Sequence, residues 1–137
     1  MRRGRASGLL AACVALVVLS ATGAPGSTRV ANSGPDVRPA RVLAVRLTGM
    51  VSPVMDDVLG QALARAHAGG YRALVVELDT PGGLERSMRD MVQRELASPV
   101  PVIVWVTPGG AHAASAGVFV TMAADVAAMS PGTNIGA

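Results

Sequence analysis

One stretch of sequence decides the fold: Pro108-Gly-Gly-Ala-His-Ala-Ala-Ser-Ala-Gly-Val-Phe-Val-Thr-Met122. A strand-like run precedes it, and its Pro-Gly-Gly turn leads through small residues into an apolar, helix-competent segment. Ser115 therefore stands where a turn leads into a helix, beside free backbone N–H groups and the positive end of the helix dipole. That position suits a nucleophile whose oxyanion those N–H groups stabilise. It also suits a serine that only caps the helix, and this stretch alone favours the cap.

On both sides of this stretch, continuous apolar runs alternate along the chain with apolar residues at helical spacing. Nearly continuous apolar runs predict strands over residues 41–47, 72–78, 101–106 and 126–129. Helical spacing predicts one helix from Ser52-Pro53 to Gly69-Gly70, a second with its apolar face along residues 84–96, and a third over residues 115–124. Residues 130–137 read as a loop. The alternation is typical of an α/β domain in which helices cover a mostly parallel sheet.

A second glycine-rich turn, Asp79-Thr-Pro-Gly-Gly83, follows the second predicted strand. It is either an ordinary Pro-Gly turn or a segment where Gly82 and Gly83 let the backbone approach a substrate and aim an N–H at an oxyanion. Because ligand sites of α/β sheets gather at the carboxyl ends of strands, the two turns are expected to lie together.

The N-terminus has the pattern of an export signal. Three early arginines precede a short apolar run and then small residues, which predicts a signal peptide or signal anchor over residues 1–24. Residues 25–40 read as a flexible linker, and residues 41–137 as one folded domain. The predicted location is therefore the cell envelope, on the extracytoplasmic side of the membrane.

Composition excludes several function classes. The net charge of +3 comes from the extreme N-terminus, because removing Arg2, Arg3 and Arg5 leaves nine arginines against nine acidic residues. The rest show no basic patch, so we expect no nucleic-acid partner. The single cysteine, Cys13, lies in the predicted signal, so neither a disulfide nor a thiolate metal site is expected in the mature chain. No cofactor and no metal are predicted.

Three segments together resemble the N-terminal protease domain of the NfeD family, which are membrane-associated serine peptidases with the ClpP/crotonase fold. They are Val76-Glu-Leu-Asp-Thr-Pro-Gly-Gly-Leu84, Gly110-Ala-His-Ala-Ala-Ser-Ala-Gly117 and Ala128-Met-Ser-Pro-Gly-Thr-Asn-Ile-Gly-Ala137. The resemblance covers residues 41–137 and implies a layered α/β fold with mostly parallel strands and alternating helices. It implies that Ser115 is the nucleophile, that the N–H groups of Gly83 and Ala116 form the oxyanion hole, and that Gly82 helps to bind an extended substrate.

The same resemblance implies a lysine as general base, but all 12 basic residues of the chain are arginines. Arginine stays protonated in proteins and cannot replace a neutral lysine. The expectation is therefore that the family's domain is truncated here, incomplete at its C-terminus and short of the lysine. His112, three residues before Ser115, is interpreted as a surface turn residue rather than as a base, and Asp79 as a residue that orients the Pro-Gly-Gly turn.

The resulting function hypothesis is an exported, membrane-associated Ser-Lys endopeptidase domain. Its expected partner is a polypeptide substrate, a hydrophobic or unstructured segment of a membrane protein, and the resemblance implies a homo-oligomer. Two alternatives remain open. One is a non-catalytic scaffold or assembly module of a membrane complex, which is the literal reading of a chain without lysine. The other is crotonase-like binding of an acyl thioester, against which the export signal argues.

Overall fold

Parallel strands form the centre of the computed structural model, which describes residues 39–136. Strands and helices alternate along the chain, so the predicted α/β class is confirmed. In chain order the elements are β1 (Val42–Thr48), α1 (Pro53–Ala68), β2 (Ala73–Asp79), α2 (Glu85–Leu96), β3 (Val102–Val106), β4 (His112–Ala114), α3 (Ala116–Ala123), β5 (Val126–Met129) and β6 (Asn134–Gly136). The main sheet has the order β1-β2-β3-β5, and all its pairs are parallel.

The hydrophobic core lies on the helix-covered face of this sheet. Every second residue of β2 and β3 is fully buried there, and all three helices contribute to the same cluster. The fully buried members with the largest side chains are Leu59, Leu74, Leu78, Met91, Val51, Val76, Val102, Val104, Val106 and Val120. Burial of each such side chain contributes roughly 1.5–3 kcal/mol. None of these fully buried side chains is aromatic, and the partly buried Tyr71 packs against the cluster.

Helix α1 begins and ends at the residues that the sequence indicates. Ser52 is its N-cap, and the Ser52 hydroxyl accepts a hydrogen bond from Met55 N–H at 3.4 Å. Pro53 takes the first helical position, where its missing N–H costs nothing. Gly69 caps the C-terminus, and its N–H donates to Arg65 O at 2.9 Å.

The apolar face of α2 is divided between two environments. Met91 is fully buried in the core, whereas Leu84 and Leu96 remain 55% and 68% exposed. Glu95, one position before Leu96, is instead only 4% exposed. The predicted face along residues 84–96 is therefore correct in part, because helical spacing alone does not show that α2 packs against both α1 and α3.

A second, two-stranded sheet was not expected from the sequence. β4 pairs with β6 in parallel, with Ala113 opposite Ile135 and Ala114 opposite Gly136. The prediction of a loop over residues 130–137 was thus wrong for Asn134–Gly136, and β4 was not predicted. Each strand has only three residues, so neither carries the alternation by which a strand is recognised.

The predicted signal segment, residues 1–24, lies outside the described residues, and so does the predicted linker except for its last two residues. Both stay predictions. Among residues 39–136, no helix combines the length and the apolar character needed to cross a membrane.

Candidate active site

Ser115 stands at the junction between β4 and α3, with a backbone that serine rarely adopts. Its φ is 49° and its ψ is −110°, and among the described residues it is the single non-glycine residue at positive φ. Non-glycine residues in such regions are held by their surroundings and gather at functional sites. Ser115 occupies the N-cap position, yet its hydroxyl makes no cap hydrogen bond and the residue is exposed. A strand-to-helix turn that presents a serine hydroxyl in this way has the form of a nucleophile elbow.

The second sheet fixes this junction from the opposite side. Ser115 N–H donates to Gly136 O at 3.3 Å, which continues the pairing of β4 with β6 past the end of the strand. Ser115 O accepts from Val118 N–H at 3.0 Å and so begins α3. The third motif of the sequence, residues 128–137, therefore contributes backbone support to the serine.

Gly82 lies directly against Ser115. A Cβ added to Gly82 would lie 2.8 Å from Ser115 Cβ and 3.3 Å from Ser115 Oγ. Gly82 also has a φ of +112°, which side chains disfavour. Thus the tertiary structure brings the Pro-Gly-Gly turn and the serine together, as expected from their positions after neighbouring strands. No other residue type would fit between the turn and the serine without displacing one of them.

The backbone N–H of Gly83 is left free by the way its neighbours bind Val51. Val51 N–H donates to Gly82 O at 2.8 Å, and Val51 O accepts from Leu84 N–H at 2.9 Å. In a parallel bridge of this kind the N–H of the intervening residue points to the other side. Gly83 is exposed, and among the hydrogen bonds of residues 39–136 its N–H donates none. A Cβ on Gly83 would collide with the backbone of Val51.

Ala116 offers a second free amide. It is the first residue of α3, where an N–H has no intrahelical acceptor. Within the described part of the chain, Ala116 N–H donates no hydrogen bond. The N–H of Gly83, which follows the glycine that contacts Ser115, and that of Ala116, which follows Ser115, therefore both lack an acceptor among the described residues. The positive end of α3 lies at the same place. Such donors stabilise negative charge on an oxygen that forms beside the serine.

Asp79 and His112 have structural roles at the entrance to β4. Asp79 Oδ1 accepts a hydrogen bond from His112 N–H at 3.0 Å. The expectation that Asp79 orients the Pro-Gly-Gly turn is therefore wrong, because its side chain holds β4 instead. His112 is interpreted from the sequence as a surface turn residue; it is exposed as expected, but it lies in β4 rather than in a turn, because its backbone pairs with Asn134.

Sequence reasoning missed Thr80. This residue is fully buried, and its hydroxyl accepts a hydrogen bond from Gly82 N–H at 3.1 Å. A threonine two residues before a turn glycine is a known local motif, so the signal was present in Thr80-Pro-Gly82.

Neither a metal-ligand cluster nor the large groove of the described residues includes Ser115. Within residues 39–136, no three His, Cys, Asp or Glu side chains lie together as a metal site would require. A groove of about 680 Å³ lies between α2 and α3, and its lining includes Met88, Val92, Leu96, Phe119 and Met122 but not Ser115.

Comparison with known proteins places this architecture in the ClpP-like class. ClpP1 from Listeria monocytogenes matches 59% of this chain and 46% of its own with a TM-score of 0.54 at 18% identity, which shows the fold alone. A lysine-to-alanine variant of the membrane-bound, stomatin-specific protease 1510-N, solved with a substrate peptide, matches 70% of this chain and 44% of its own. Its TM-score is 0.69 and its identity 38%.

Two curated proteins are similar to most of the described part of this chain. The membrane-bound protease PH1510 of Pyrococcus horikoshii is 38% identical over 96 residues, which are 70% of this chain and 22% of that protein. The membrane protein NfeD1b of Bacillus subtilis is 32% identical over 101 residues, 69% of this chain and 22% of that protein. No protein-family model matches the chain. The chain is homologous to NfeD-family proteins and matches their ClpP-like protease domain. It spans about a fifth of the length of these curated relatives.

Proposed function

We propose that this protein is a membrane-associated serine endopeptidase in which Ser115 is the nucleophile. The observation that carries the proposal is the strained, exposed Ser115 packed against Gly82, with the N–H groups of Gly83 and Ala116 unused. A capping serine needs neither the positive φ nor the close approach of a second turn. The relative with a bound substrate peptide supports a polypeptide substrate.

The reaction follows the usual course of acyl transfer. Ser115 Oγ attacks the carbonyl carbon of the scissile peptide bond while a base takes the hydroxyl proton. The carbonyl oxygen becomes an oxyanion, which the N–H groups of Gly83 and Ala116 stabilise. The tetrahedral intermediate then expels the amine, which takes up that proton, and leaves an acyl-enzyme. Water hydrolyses the acyl-enzyme and restores the serine.

The proposed base is a lysine. Solved structures of the relative 1510-N include a serine-to-alanine variant and a lysine-to-alanine variant, which supports a Ser-Lys dyad. None of the 137 residues of this sequence is a lysine, so the dyad requires a lysine from polypeptide outside it. That lysine must be neutral to accept a proton, and burial would lower its pKa accordingly.

The proposed substrate is a hydrophobic or unstructured segment of a membrane protein. One relative is named as a protease specific for a stomatin homolog, and both curated relatives are named as membrane proteins. We extend this to an enzyme exported by the predicted signal, acting on the extracytoplasmic side of the membrane as a homo-oligomer.

The test uses the full protein that carries this sequence, with casein and a hydrophobic peptide as substrates. Ser115→Ala removes the nucleophile and is expected to lower kcat by about 10³-fold or more. His112→Ala is the matched control, because its exposed side chain is close in sequence but has no role in the proposal; its kcat should stay within about twofold. Equal cleavage by wild type and Ser115→Ala would overturn the assignment. A loss in His112→Ala equal to that in Ser115→Ala would replace lysine by histidine as the base.

A further inference from the structure

We propose that Thr80 is the positioning residue of the oxyanion hole, an inference that rests on the proposed function. Its hydroxyl selects which amide of the Pro-Gly-Gly turn faces the substrate, and its backbone and methyl group fix that turn to the Ser115 segment. Thr80 touches no reacting atom and acts through Gly82, Gly83 and Ala116.

The hydroxyl of Thr80 binds both polar groups of Gly82. It accepts from Gly82 N–H at 3.1 Å and lies 3.2 Å from Gly82 O, to which it donates. Pro81 has no N–H, and Thr80 N–H donates to His112 O at 2.7 Å. Along residues 80–83, the amide left free is therefore that of Gly83. If Gly82 N–H were released, the bonds of Val51 to Gly82 O and Leu84 N–H would remain, and Gly82 would offer a second free amide beside that of Gly83.

The backbone of Thr80 binds the strand that carries the nucleophile. Besides the bond to His112 O, Thr80 O accepts from Ala114 N–H at 3.0 Å. Ala114 is the last residue of β4 and is followed directly by Ser115. One buried residue thus joins the turn that holds Gly83 to the strand that holds Ser115.

The methyl group of Thr80 meets the first turn of α3. A Cβ added to Gly117 would lie 2.6 Å from Thr80 Cγ2, so only glycine lets α3 approach this closely. Gly117 follows Ala116, which carries the second free amide. The hydroxyl therefore positions the Gly83 donor, the methyl group positions the Ala116 donor, and substitutions can separate the two effects.

Two pairs of variants isolate the hydroxyl in the full protein that carries this sequence. The first pair, wild type and Thr80→Val, keeps the methyl group and differs chiefly in the hydroxyl. The second pair, Thr80→Ser and Thr80→Ala, lacks the methyl group and differs in the same hydroxyl. Loss of one oxyanion donor lowers kcat by about 10²–10³-fold. We expect at least about a tenfold fall in kcat within each pair, with KM for the peptide changed by less than about threefold. If Thr80→Val does not fold, the Ser/Ala pair still decides.

A structural readout separates failure of this inference from failure of the proposed function. Amide hydrogen exchange at Gly82 should accelerate in Thr80→Val and Thr80→Ala but not in Thr80→Ser, while Ala114 N–H stays protected in all. Equal kcat within both pairs, or unchanged exchange at Gly82, overturns the role of Thr80. If wild type shows no cleavage that depends on Ser115, the proposed function falls, and the exchange pattern alone then tests whether the hydroxyl holds the turn.

Discussion

At Ser115 the backbone is held at φ 49° and ψ −110°, where a side chain crowds its own peptide groups. Hydrogen bonds on both sides hold it there, from Ser115 N–H to Gly136 O and from Val118 N–H to Ser115 O. Strain of this kind is of the order of 1–3 kcal/mol per residue, and it turns the hydroxyl away from the cap and outward. In our proposal this strain is the structural cost of an exposed nucleophile.

The strain predicts an unusual stability for Ser115→Gly. Glycine adopts positive φ without a Cβ clash. The free energy of unfolding of Ser115→Gly should therefore be about 1 kcal/mol higher than that of Ser115→Ala. Urea denaturation of the two variants measures the difference. Ala64→Gly is the control, since Ala64 is exposed within α1 and glycine there should cost about 1 kcal/mol. An Ser115→Gly variant less stable than Ser115→Ala would show that the backbone is relaxed in the folded protein.

At the scale of elements, an ion pair joins the first turn of α1 to the last turn of α2. Arg94 Nε lies 2.7 Å from Asp56 Oδ1, and Arg94 Nη2 lies 3.1 Å from Asp56 Oδ2. Asp56 is 7% exposed, so its carboxylate depends on this partner. The hydrogen bond and the charge of Asp56 raise the pKa of Arg94 further above its ordinary value. Gly60 makes room for the guanidinium, because a Cβ there would lie 2.8 Å from Arg94 Nη1.

Removal of the guanidinium should therefore be costly. Arg94→Met is expected to lower the free energy of unfolding by about 1–3 kcal/mol, because Asp56 would remain buried without its partner. The matched control is Arg89→Met on the same helix. Arg89 binds Glu85 at 2.6 Å one turn away, but both side chains are about 70% exposed, so its loss should cost less than about 0.5 kcal/mol. Chemical denaturation measures both, and equal losses would mean that the α1–α2 pair has no tertiary role.

At the scale of the whole molecule, a buried carboxyl group makes folding sensitive to pH. Glu95 is 4% exposed, and among the described residues neither of its carboxyl oxygens has a hydrogen-bond partner. The pKa of Glu95 is raised to about 8, chiefly because burial disfavours the charged form and also because of the negative charge of Asp125. In an unfolded chain the pKa of glutamate is about 4.3. The folded protein therefore binds this proton more tightly than the unfolded chain does.

Glu95 therefore lowers the free energy of unfolding as the pH rises from about 4.3 to about 8, and its contribution no longer changes above that range. Glu95→Gln removes the titration, so the variant should not show this decline in stability. The free energy of unfolding of the variant minus that of wild type should therefore be larger at pH 8.5 than at pH 5. Urea midpoints at both pH values measure the change. Glu85→Gln, at an exposed carboxylate, is the control and should keep the wild-type slope. Parallel pH profiles for wild type and Glu95→Gln would show that Glu95 is solvated.

The main sheet and the pair of turns could be predicted from local patterns in the chain. Continuous apolar runs identify β1, β2, β3 and β5, and the Ser52-Pro53 cap and Gly69 bound α1, because propensity and capping are local interactions. The short strands β4 and β6 could not be predicted, because three residues have no periodicity and their pairing joins segments far apart in the chain. The same holds for Glu95, whose helical position is buried only because of how α2 packs.

By itself, the sequence determined the α/β class, the family resemblance and the serine, because motif residues and apolar spacing are properties of the linear chain. The tertiary structure alone decided the geometry of the site. It set the positive φ of Ser115, the contact of Gly82 with that serine, the free N–H of Gly83 and the buried Thr80 that joins them. These features depend on long-range hydrogen bonds of Val51 with the Pro-Gly-Gly turn, of Thr80 with β4 and of β4 with β6. No local pattern encodes which backbone groups such pairing leaves free.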